Sequence, residues 1–148
     1  MSQPNRETAR DGLAALLNAQ LVTTDAIVEV TYNYRKGDLQ GQSPVVVVTS
    51  GGSARERLDF TGTRGNVAYL TVYVFVAYAA TGWTEAQAED RIDLIERTIA
   101  DVVDANGGET AYWVAMDYDG RSTRDDVEDG GIEYIREYIP IAAQLNYG

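Results

Sequence analysis

Residues 68–79 read AYLTVYVFVAYA and residues 84–103 read TEAQAEDRIDLIERTIADVV, and these two stretches, joined through a Gly82-Trp83 turn, decide the fold. The first is rich in Val, Tyr and Phe and spends its length on packing as a strand. The second sets Ala88, Ile92, Ile95, Ile99, Val102 and Val103 on one helical stripe, opposite Glu89, Asp93, Arg97, Asp101 and Asp104. Thr84 and Gln87 have capping-box spacing at its start, and Asn106-Gly107-Gly108 stops it. Neither stretch presents a catalytic group, so the centre of the chain is a strand-and-helix scaffold.

Working outward, Asn5 can cap a first helix whose apolar residues Ala9, Leu13, Leu16, Leu17 and Leu21 recur at spacings of three and four. Glu7 favours its positive end and Gly12 weakens it. Residues 26–34 alternate as a half-buried strand, with Val28, Val30, Tyr32 and Tyr34 on one side, and RKGDLQGQS is expected to make a turn. Pro44 opens VVVVTS, a strand whose unbroken valines suggest burial on both faces.

Residues 50–66, SGGSARERLDFTGTRGN, read as a long polar connection with four glycines and three arginines. Its LDF triplet could extend a strand and turn the loop into a protruding hairpin. Strands are expected at 111–118 and 132–142, separated by the acidic connection DGRSTRDDVEDGG. The order helix, three strands, helix, two strands gives one α+β domain over residues 1–148. It is a mainly antiparallel five-stranded sheet with two helices packed on one face.

Composition narrows the function. A chain of 148 residues can bury a core unaided, and it has neither cysteine nor histidine. Thiolate chemistry, zinc-thiolate sites and the usual neutral-pH general base are therefore missing. Carboxylates, Lys36, Tyr and Ser/Thr are left as reactive groups. With 23 acidic against 12 basic residues the net charge is -11, a sign that repels nucleic-acid phosphates. The N-terminus MSQPNRETARDG has no apolar core of signal-peptide length, and the longest apolar stretch, ending at Ala80 and broken by Thr71, is too short to span a bilayer, so a soluble, intracellularly made protein is expected.

Each motif has a plain counter-reading. Asp117, Asp119, Asp125 and Glu128 fall at positions one, three, nine and twelve of a calcium loop. Arg121 and Ser122 occupy positions five and six, where an oxygen ligand and a glycine belong, so a solvated acidic loop is the better reading. SGGS beside arginines lacks the GK[ST] of a phosphate loop, and Asp125 and Asp126, as neighbours on extended chain, point apart and cannot pair as acid and base. No catalytic residue, cofactor or metal ligand is assigned. The last strand, GIEYIREYIPIAAQ, carries Tyr134, Arg136 and Tyr138 on one side and Ile135, Glu137, Ile139 and Ile141 on the other. That pattern is too apolar for a free surface, and self-association would bury it.

Over nearly its whole length the chain resembles the tail terminator (tail completion) proteins of long-tailed bacteriophages. The resemblance lies in the order of elements and in the segments YRKGDLQGQSPVVVVTSGGS, RERLDF, FVAYAATGWTEAQAEDRIDLIERTIADVV and DYDGRS. It implies a structural virion protein without catalysis, made in the host bacterial cytoplasm and placed at the head-tail junction. Such a protein forms a homo-oligomeric ring, a hexamer in that family, that caps the tail tube and meets the head connector or stopper protein. DNA would pass through without specific binding. On this reading Asp125, Asp126, Glu128 and Asp129 are candidates to line the channel, and Gly51, Gly52, Arg55, Arg57, Arg64, Tyr134 and Tyr138 are candidates for the assembly interface. A head-tail connector or tail-tube protein is the neighbouring alternative. An acidic small-ligand or metal-binding module is the alternative of another class.

Overall fold

The computed structural model describes residues 4–57, 64–78 and 82–146. The elements run α1 (Arg6–Leu17), a π-helical turn (Asn18–Thr24), β1 (Val30–Tyr32), β2 (Val45–Arg57), β3 (Arg64–Ala77), α2 (Glu85–Ala105), β4 (Ala115–Tyr118), β5 (Thr123–Asp129) and β6 (Ile132–Gln144). The strands form one mixed sheet in the order β1-β2-β3-β6, and the outer side of β6 is shared between β5 and β4. The α+β class therefore holds, with six strands where five were expected.

Both helices form as their caps dictate. The Asn5 side chain accepts from Thr8 N–H at 2.8 Å, and the Thr84–Gln87 capping box closes in both directions, at 3.1 and 2.9 Å. The stripe of α2 is buried as its spacing requires. It packs with Ala9, Leu13 and Leu17 of α1 on one sheet face, over Val46, Val48, Leu70, Val72, Val74, Ile139 and Ile141. Full burial of one such Ile or Leu is worth about 1.5–3 kcal/mol, so this layer dominates the stability. Gly12, read as a weakness in α1, has a packing role: a Cβ there would lie 2.3 Å from the ring of Tyr112.

Four expectations change, each for a physical reason. First, β1 pairs in parallel with β2, Val30 opposite Val45. A parallel pair needs a crossover of about a dozen residues rather than a tight turn. Residues 33–44 supply it and cross the sheet face that the helices leave open.

Second, the segment expected as a loop from residue 50 is largely strand. β2 and β3 stay paired from Val45–Phe75 to Arg57–Arg64, with one register shift between Ser50 and Ser53. Gly51 makes that bulge possible, because a Cβ there would stand 2.9 Å from the Tyr69 carbonyl oxygen. β6 ends its ladder at Val67–Gln144 and Asn66 still bonds to Leu145 and Asn146, so beyond Asn66 the hairpin continues as a two-stranded arm. The LDF triplet itself lies outside the described residues.

Third, the acidic connection contains β5, paired with β6 from Thr123–Tyr138 to Asp129–Ile132. The hairpin between them turns on Gly130 and Gly131, both at positive φ.

Fourth, the strand expected from residue 111 begins only at Ala115. Trp113 is instead fully buried beside the end of α2, its indole N–H donating to the Asn106 carbonyl at 2.8 Å. Pro140 sits inside β6 without breaking the sheet. Its carbonyl accepts from Asp119 N–H at 2.8 Å, and its missing N–H falls on the same side, where the chain passes between β4 and β5.

Candidate functional site

The second sheet face is where polar and aromatic groups gather. Alternation along the strands places Val45, Val47 and Ala77 there with Tyr73, Phe75 and Tyr134, and the crossover lays Leu39 over them. Tyr134 is fully buried in this second cluster, and its hydroxyl donates to the Gln42 carbonyl at 3.0 Å. Its ring meets Phe75 edge to face at 6.2 Å. Leu39 N–H donates to Asp129 Oδ2 at 3.0 Å, and Ser43 Oγ accepts from Ala77 N–H at 2.8 Å, so the crossover is latched to β5, β6 and β3. The chain therefore covers much of this face itself, and Tyr134 offers no area to a partner.

Beside the latched segment an open groove of about 680 Å³ runs between the crossover and the sheet, bordered by Arg10, Lys36, Tyr73, Phe75, Val127 and Arg136. Tyr73 and Tyr138 pack perpendicular at 5.1 Å, and the Arg136 guanidinium lies 4.5 Å from the Tyr138 ring centre. Arg136 donates twice to Asp125, at 2.9 and 2.6 Å, and Tyr138 donates to the same carboxylate at 2.8 Å. The Arg136 hydrogen bonds, with that from Tyr138 behind them, hold the Asp125 carboxyl below the usual carboxylate range.

The four acids expected to line a channel do not form one patch. Asp125 is engaged by Arg136 and Tyr138, and Asp129 by Leu39. Glu128 borders the groove, where Arg35, Lys36 and Arg136 also stand. Asp126 borders a separate concavity with Glu85, Glu89 and Tyr78. Asp125 borders this concavity too, although its carboxylate is held by Arg136 and Tyr138. The calcium-loop spacing likewise yields a strand, and among the described residues no cluster of carboxylates suited to a metal ion is assembled.

Of the expected interface residues, Gly51 and Gly52 form the bulge at the base of the arm and Arg55 is exposed on it. The backbones of Arg57 and Arg64 pair with each other, and their side chains lie outside the described residues. Tyr138 is half-buried.

Sequence reasoning missed two contributors. Arg6 and Arg10, one turn apart on α1, reach across to β2, donating to Ser53 Oγ and Ser50 Oγ at 3.3 Å each. Their i, i+4 spacing was the available signal. Glu137, placed on the apolar side of β6, is only 4% exposed. Burial pushes its carboxyl up, with Glu96 and Asp93 adding to the rise against Ser122 and Arg124.

No protein-family model matches the chain, and no curated protein does. Among solved structures the chain is similar to a chain in the virion of a native gene transfer agent particle. The identity is 18%, the match covers 95% of this chain and 94% of that one, and the TM-score is 0.50. At that identity the likeness is one of fold.

Proposed function

We propose that this chain is a structural virion protein of the tail-terminator type, acting by self-association and without catalysis. Copies form a ring that closes the end of a tail tube and presents a surface to the head connector. The observation that carries the reading is the end-to-end correspondence of its fold with a chain of a gene transfer agent virion. Three features support it. The two-stranded arm beyond Asn66 extends past the three-stranded pairing. The outermost strand, β5, is largely exposed. The second face carries an aromatic layer that the crossover covers in part, with an open groove beside it.

Purified protein mixed with purified tails and imaged in negative stain tests the proposal. Decoration confined to tube ends is expected. Regular decoration along the shaft marks a tube protein instead. A monomer at every concentration that never joins tails or virions overturns the reading.

A further inference from the structure

The charges of this chain are unevenly distributed. Residues 1–81 hold seven basic and seven acidic side chains, whereas residues 82–148 hold five and sixteen. Folding turns that asymmetry into two opposed corners. At the first, Arg6, Arg10 and Arg55 border a concavity of about 500 Å³ at the base of the arm, with Glu7 the one acid on its rim among the described residues. Arg10 lies 3.7 Å from Asp11, and its Nε is buried without a hydrogen bond. Arg6 and Arg55 have no ion pair among the described residues.

At the second corner, Glu85, Glu89, Asp125 and Asp126 surround a concavity of about 390 Å³ beside Tyr78 and Ile135. Its one cation among the described residues, Arg124, is occupied by Glu89 at 2.8 and 2.7 Å. Asp125 is held by Arg136, which leaves Glu85 and Asp126 exposed and without an ion pair among the described residues.

The register places these corners diagonally across the sheet. Ser53 pairs with Ala68 on β3, while Asp126 pairs with Ile135, which pairs with Val76. Eight strand residues separate the two levels, about 27 Å along the strands, and three strand spacings add about 14 Å across them. Complementary patches at opposite corners suit a head-to-tail contact, in which each copy uses one patch on either neighbour.

We infer that copies of this chain associate head to tail, the arginine corner of one (Arg6, Arg10, Arg55) seating against the acidic corner of the next (Glu85, Asp126). The inference rests on the virion reading for its requirement that the chain self-associates. It adds which surfaces meet.

A charge swap tests it. The R6E/R55E and E85K/D126K variants of the full chain are each expected to shift the assembly midpoint by about tenfold or more in sedimentation velocity, through like-charge repulsion. An equimolar mixture of the two, or one chain carrying all four changes, should recover assembly. Assembly of the unaltered chain should weaken as salt rises to about 0.5 M. The neutral variants R55Q and D126N should give smaller shifts in the same direction, and circular dichroism melting checks that every variant folds.

If the reversals leave assembly unchanged, or the mixture fails to recover it, the corner contact is wrong while the ring reading stands. Retention of duplex DNA that R6E/R55E abolishes, with self-association unaltered, assigns the arginine corner to phosphate and also overturns the inference. A chain that is monomeric throughout and absent from tail ends removes both proposals together.

Discussion

Single residues in this chain are governed by what stands opposite them as much as by their own propensities. Gly12 shows this best. In an isolated helix Gly→Ala gains about 1 kcal/mol, yet here the added Cβ meets the Tyr112 ring. Gly12→Ala should therefore lower the thermal midpoint. In a double-mutant cycle with Tyr112→Ala the two changes should be strongly non-additive, and a stabilised single variant contradicts the packing role. Glu137 is the second case. Because burial raises its pKa, the folded chain binds that proton more tightly than the unfolded one. Its contribution is full below the unfolded pKa, near about 4.3, and is lost as pH rises through the folded value. Glu137→Gln should melt higher than the unaltered chain at neutral and mildly alkaline pH. The difference should shrink as pH falls through the glutamate range, and a constant difference across pH refutes the assignment. Neither residue was legible alone: alternation placed Glu137 on the right side of β6, but which side the helices cover is a tertiary fact.

Elements were legible where their signal is local. The caps of both helices and the buried stripe of α2 follow from spacing, because a helix satisfies its own backbone and needs only one face covered. Thr84→Ala should cost about 1 kcal/mol, read as a lower urea midpoint with unchanged slope. Ile95→Ala, at the centre of the stripe, should cost about 2–5 kcal/mol in the same assay. Strands were less legible, since a strand is completed by a partner elsewhere in the chain. The segment from residue 50 and β5 both looked like loops by polarity, yet each is held by a neighbouring ladder. The crossover was read as a turn because sequence adjacency favours hairpins. Its latch invites a direct test: Tyr134→Phe removes the donor to Gln42 and should cost about 1 kcal/mol, with faster amide exchange across residues 35–42.

At the scale of the whole molecule, the proposed head-to-tail contact ties stability to protein concentration. Assembly that engages only native chains raises the apparent stability by mass action. The calorimetric midpoint should therefore climb over about a hundredfold range of protein concentration, and a midpoint independent of concentration speaks against a self-associating chain. The sequence by itself determined the α+β class, the two amphipathic helices with their caps, the side of β6 on which each residue lies, and the net charge, because these depend on periodicity and composition. Only the tertiary structure decided that β1 runs parallel to β2, that the crossover seals the second face over Tyr134, and that opposite charges collect at diagonal corners. Those features arise where segments distant in sequence come together, and no local pattern encodes which distant segment supplies a strand's partner or an arginine's neighbour.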